Sequence, residues 1–197
     1  MTRVAIEING VLRDTYEKME QLYQKFFIDE LELVDEDFKY EIFKPFDTEN
    51  FKNHFSFKTD EEYFSFLYEE FTMQIFGHAP STELSTFIDL NRMMKDLKED
   101  FEFILVGEQI MKTRPATLFF ISKFGCEIDK IIFYNKNNKS KIESDFDILV
   151  AASPSLIDFY KDKTTIVYET SYNSNINSEI KITEIKELES TLTKFKK

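Results

Sequence analysis

Three short runs constrain this chain more than any other feature: VAI at residues 4–6, FILV at 103–106 and FDILV at 146–150. Each is apolar, without the polar alternation of a half-exposed strand. Each runs into a turn-forming or small residue, namely Gly10, Gly107 and the Ala151–Ala152 pair. Strands of this kind are buried on both faces, which occurs where helices cover both sides of a parallel sheet. Between the first two runs lies a long segment with helical periodicity. Asp14 is placed to cap a helix with Tyr16, Met19, Leu22, Tyr23, Phe26 and Phe27 on one stripe. Residues 31–59 read as irregular and Phe-rich, with Pro45 as a breaker. Thr59 and Glu62 have capping-box spacing ahead of a helix carrying Tyr63, Phe64, Phe66, Leu67, Phe71 and Ile75, which should end near Gly77. Ser81 or Thr82 should open a third helix with Leu84, Phe87, Ile88, Leu90, Met94 and Leu97 inward.

After the second strand, Pro115 suits the first turn of a helix that Gly125 terminates. Further strands are expected at 128–134, 164–168 and 180–182, and a charged amphipathic helix from Thr183. Strand, helical insertion, then strand–helix–strand–strand predicts an α/β fold with a central parallel sheet. Its ligand crevice would lie at the strand carboxyl ends, where Glu7, Asn9, Gly107, Ala151 and Ala152 converge.

Charge and composition narrow the function classes. The chain has 25 basic and 37 acidic residues, a net charge of −12, so phosphate backbones and anionic lipid would be repelled. Neither nucleic acid nor membrane is expected as a partner. The lone Cys126 cannot form an internal disulfide, which fits a reducing compartment. The start, MTRVAIEING, lacks the apolar region of a signal peptide, and no apolar run approaches the ~20 residues of a membrane span. A soluble, cytoplasmic-type protein is expected. The 22 Phe and 9 Tyr exceed ordinary usage. Most should pack internally, and the remainder could cover a protein interface.

An apolar strand ending in acid-x-acid-Gly usually delivers two carboxylates to a reaction centre. Here the stretch reads VAIEINGVLRD, with Glu7 in the first place and Asn9 in the second. Together with FILVGEQ, PATLFFISKFG, FDILVAASPSLI and KTTIVYETSYNSNI, in that order, it resembles the haloacid-dehalogenase-like (HAD) phosphatase superfamily. The small 5′(3′)-deoxyribonucleotidase-like members, including versions carried by tailed phages, look most similar. The resemblance covers nearly the whole chain. It implies a Rossmann-like core from residues 1–12 and 101–197, with a helical cap inserted at 13–100.

In active members of that family, the first Asp attacks phosphorus and the second moves the proton. A Ser or Thr and a Lys hold the phosphoryl group, and an acidic pair after the fourth strand holds Mg²⁺. Transferred position by position, these roles fail here. Glu7 keeps a carboxylate but moves it by roughly 1 Å, a misplacement that can cost ~10²-fold. Asn9 cannot exchange a proton near neutral pH. Gly107 has no hydroxyl, and Ala151 and Ala152 replace the metal-holding acids. Lys112, Arg114 and Lys123 all lie near the place of the phosphate-binding Lys, and the sequence does not choose among them. These five positions are therefore read as vestigial, with no catalytic, cofactor or metal residue expected.

No other chemistry is strongly signalled. His54 and His78 with one cysteine make no zinc set, and both are read as hydrogen-bonded surface or cap residues. The acidic run Asp35, Glu36 and Asp37 lacks the glycine and spacing of an EF-hand loop. Ser153 and Ser155 have no recognisable nucleophile elbow. The expected function is that of an inactive phosphatase-fold protein that binds a protein partner or self-assembles through its aromatic cap. As the phage-like resemblance implies, it could be a particle component, located in the host cytoplasm or the virion. The alternatives are a weak nucleotide phosphohydrolase and a non-catalytic nucleotide sensor.

Overall fold

The computed structural model describes residues 1–31 and 37–196. Six strands form one all-parallel sheet: β1 Thr2–Glu7, β2 Phe101–Glu108, β3 Ile131–Tyr134, β4 Ile148–Ala151, β5 Thr164–Tyr168 and β6 Lys181–Ile182. Their spatial order is β3-β2-β1-β4-β5-β6. The chain thus grows outward from β1 in both directions, and the crevice forms where it reverses, beyond the carboxyl ends of β1, β2 and β4.

The strands are apolar on both faces because both faces are covered. Val4, Ile6, Phe103, Leu105, Ile148 and Val150 enter one buried cluster, while Ala5, Ile104, Val106, Leu149 and Ala151 enter another. Successive side chains point to opposite sides of a strand, so Glu7 continues the face of Ala5. In register it lies opposite Val106 of β2. Among the described residues, seven α-helices accompany the sheet: α1 Thr15–Tyr23, α2 Asp60–Ser65, α3 Thr72–Gly77, α4 Thr86–Leu97, α5 Arg114–Lys123, α6 Pro154–Phe159 and α7 Lys186–Thr193.

The insertion has an aromatic core of its own. Tyr23, Phe27, Tyr40, Phe55, Phe66 and Phe71 are buried together, and Ala116 of α5 joins them from the sheet layer. Tyr23 and Phe27 stack at 4.8 Å, and Phe66 meets both of them edge-on. Much of the aromatic excess is therefore used inside the insertion, where ring pairs contribute beyond their buried area. Exposed rings in this segment include Phe43 and Phe64.

Two expectations are corrected. The helix anticipated from Thr59 to Gly77 is interrupted. After α2 it widens into a π-helical turn at Phe66–Glu70, and the Phe71 amide bonds the Phe66 carbonyl five residues back. That spacing brings Phe66 and Phe71 inward together, with ring centroids 5.3 Å apart. Next, α4 starts at Thr86 rather than at Ser81 or Thr82. Moreover, α4 buries Phe87, Leu90, Met93, Met94 and Leu97 in the cluster formed with the sheet. Among the described residues, no helix is long and apolar enough to cross a membrane.

Candidate functional site: a crevice whose donors are already occupied

The crevice at the strand ends has a volume of about 970 Å³. Glu7, Asn9 and Gly10 form its floor, Glu108 and Gln109 one wall, and Ser153 and Ser155 another. Thr48–Phe51, Tyr63 and Tyr68 reach it from the insertion.

Glu7 is 3% exposed. Its Oε2 accepts the backbone N–H groups of Ala152 and Ser153, both at 2.9 Å. The carboxyl group thus braces the end of β1 against the loop leaving β4. Burial pushes its pKa up to about 8, against the two N–H bonds that favour the ionised form; the nearby Glu49 and Glu108 charges push the same way as burial. At neutral pH the group is predominantly neutral, with Oε2 accepting as a carbonyl.

Asn9 is fixed from below. Its Oδ1 accepts from Arg13 Nε at 3.1 Å and also from Nη2. Arg13 is 0% exposed and donates through Nη1 to the Phe76 carbonyl at 2.5 Å and to Thr117 Oγ1 at 3.0 Å. The Phe76 and Phe120 rings flank the guanidinium at 5.3 and 5.2 Å. Burial lowers the Arg13 pKa to about 9, so it stays charged at neutral pH. Thr117 passes the network on to Gln109 Oε1 at 3.1 Å, where Thr113 also donates. Gln109 Nε2 is buried without a partner.

Gly10, Gly107, Ala151 and Ala152 lie at the same end of the sheet. Gly10 adopts φ +81°, a left-handed conformation that glycine takes without steric cost. A Cβ there would lie 2.2 Å from the Tyr172 hydroxyl and 2.8 Å from Ala152 Cβ. Tyr172 and Ala152 thus close over the turn beside Glu7. Ala151 and Ala152 are fully buried, and Gly107 sits inside β2 against Ile8. The donor set does not fit Mg²⁺: two alanines follow β4 in place of acidic oxygens, and the remaining carboxyl group accepts two backbone N–H groups through Oε2 and is largely neutral. Among the described residues, no group of three or more His, Cys, Asp or Glu could hold a metal ion.

None of the three candidate cations reaches the crevice. Lys112 pairs with Glu69 at 2.8 Å, Arg114 lies over the Phe133 ring, and Lys123 over Phe124. The lining cation is Lys136, from the Asn- and Lys-rich loop after β3. Lys139 of the same loop donates to the Ser155 carbonyl at 3.0 Å. Glu49, which the sequence reading passed over, binds the start of α6 from the insertion. It accepts the Ser153 hydroxyl and, at 3.2 Å, the Ser155 N–H. No local pattern marks this contact, because it joins residues more than 100 positions apart. Arg13 did carry a signal, a charge directly after the apolar pair Val11 and Leu12.

The remaining candidates have ordinary structural roles. His54 is buried, with Nε2 2.7 Å from the Thr48 carbonyl; His78 is exposed beside the Phe119 ring. Cys126 packs against the sheet cluster, and burial raises its thiol to about 12. Asp35 and Glu36 of the acidic run lie outside the described residues.

No protein-family model matches the chain, and no curated protein matches it. Solved structures do. A HAD-superfamily hydrolase of subfamily IA, variant 1, from Geobacter sulfurreducens superposes with a TM-score of 0.56 at 11% identity, over 98% of this chain and 100% of that one. A haloacid dehalogenase-like family hydrolase from Xanthomonas campestris gives 0.58 at 10% identity, over 100% of this chain and 96% of that one. At such identities the likeness speaks to architecture alone, and on that ground the chain has the HAD-like α/β fold.

Proposed function

We propose that this chain is a catalytically inactive phosphatase-fold protein that works by binding. One observation carries the reading: the carboxyl group at the nucleophile position braces the backbone of two residues, one of them an alanine where a metal ligand would stand. A neutral carboxyl group is a poor nucleophile. Glu7 is largely neutral at pH 7, and its accepting oxygen is occupied. Asn9 has no proton to give and is held by Arg13. The test is phosphate release from p-nitrophenyl phosphate and a nucleotide panel with Mg²⁺ present. The rate should match the protein-free control, and saturable turnover that is lost in Glu7→Gln would overturn the reading.

Binding to a protein partner or to further copies of the chain is the role we assign, with a virion or viral assembly as the concrete case drawn from the resemblance. The native mass of protein purified from its own source tests this role. A large stoichiometric assembly supports it, and a free monomer counts against it.

A further inference from the structure

We propose that the crevice takes an uncharged, hydroxyl-bearing ring ligand, a free sugar or the sugar of a nucleoside, and rejects the phosphorylated form of the same molecule. The inference deepens the non-catalytic reading of this site and rests on it. It follows from which polar atoms of the crevice already have partners and which do not.

The donors around Glu7 that could receive a phosphate are occupied internally. The Ala152 and Ser153 amides bond Glu7. The Ser153 hydroxyl and the Ser155 amide bond Glu49. The Arg13 guanidinium is enclosed by Asn9, Phe76 and Thr117, and the Lys139 ammonium is bonded to the Ser155 carbonyl. Lys136 remains, within electrostatic reach of Glu108. A phosphate dianion here would face the carboxyl groups of Glu49 and Glu108, with the charges of Lys136 and Lys139 to offset them, after losing its hydration.

The opposite wall is different. Among the described residues, the Glu108 carboxyl and the Tyr63 and Tyr68 hydroxyls make no hydrogen bond. Next to Glu108, the Gln109 side chain is 3% exposed and its Nε2 is an unpartnered donor. A carboxyl group that can accept from neighbouring hydroxyls, beside an amide that can donate to a ring or hydroxyl oxygen, matches a sugar diol. Tyr68 lies parallel to Phe76, with centroids 6.3 Å apart and planes 3° apart, supplying flat apolar faces beside these polar groups. The volume of about 970 Å³ exceeds what a single sugar ring needs.

Calorimetric titration of the full chain tests this with two pairs: glucose beside glucose 6-phosphate, and uridine beside uridine 5′-monophosphate. The unphosphorylated member of at least one pair should bind at least about tenfold more tightly than its phosphate. Binding of glucose identifies a sugar site, and binding of uridine alone a nucleoside site. Glu108→Gln and, as a second variant on another element, Tyr68→Leu should each weaken that binding by about tenfold or more with the melting temperature preserved. Equal or tighter binding of the phosphates overturns the proposal, as does absence of binding by all four compounds at about 10 mM. Phosphate release in the phosphorylated arms would instead overturn the non-catalytic reading, so the two failures are distinguishable.

Discussion

Two walls of one crevice have been treated in opposite ways. Where β1 meets β4, polar groups find partners inside the protein: Glu7 with two amides, Asn9 with Arg13, Ser153 with Glu49. Where β2 meets the insertion, Glu108, Tyr63 and Tyr68 lack hydrogen bonds among the described residues, and Gln109 Nε2 is orphaned. The first wall stands where phosphoryl chemistry would occur, and the second where the remainder of a ligand would lie. On the non-catalytic reading proposed above, reactivity at such an edge is removed by turning its donors and acceptors on one another, without filling the space with apolar bulk.

Arg13 offers the largest way to break this comparison. Arg13→Met leaves the Asn9 and Thr117 oxygens and the Phe76 carbonyl without their donor, which should cost about 2–5 kcal/mol. Urea unfolding measures the loss. A loss below about 1 kcal/mol would mean that water replaces the guanidinium and that the first wall is not internally sealed.

Glu7 comes next. Its folded pKa of about 8 lies above the ordinary 4.5, so the folded state keeps a proton that the unfolded chain releases. That contribution is fully present below about pH 4.5 and is lost as pH rises through 8. Wild-type stability should therefore fall by up to a few kcal/mol between about pH 5 and pH 9. Glu7→Gln, which keeps the accepting carbonyl but cannot ionise, should remove most of that fall. Urea midpoints of both proteins across this range decide the matter, and parallel pH profiles would contradict the assignment.

A smaller effect is expected at Glu49. Glu49→Ala frees the start of α6 from the insertion and should cost about 1 kcal/mol, because the contact is only partly buried. Hydrogen exchange at Ser155 should accelerate with it. Asn9→Asp should have the smallest effect on activity. Arg13 already directs Nε and Nη2 at Oδ1, so an Asp there would be held ionised by an ion pair. It could not serve as a proton donor. Phosphate release should stay at background, and any measurable turnover would show that Arg13 does not control this position.

The sheet was legible because its strands are buried on both faces, and FILV or FDILV can hardly be read otherwise. The turn at Gly10 was equally plain, since it depends on residue type at a fixed strand end. Less was legible where tertiary packing chooses between equal local patterns. The stripe of α4 fits an insertion or a sheet face equally well, and only the contact with the sheet cluster decides. The break at Phe71 follows from two rings turning inward five residues apart, outside the three-and-four spacing of an ordinary helix. Glu49 and Lys136 reach the crevice from loops without periodicity, so nothing in their neighbourhoods announced them.

The central claim is that Glu7 is a protonated brace and not a nucleophile. Carbon-13 NMR of the Glu7 carboxyl, assigned by comparison with Glu7→Gln and titrated with and without Mg²⁺, tests it most directly. The account predicts a midpoint near 8 that Mg²⁺ leaves unchanged. A midpoint near the ordinary 4.5, moved further down by Mg²⁺, would mean an ionised, metal-binding carboxylate and would contradict it.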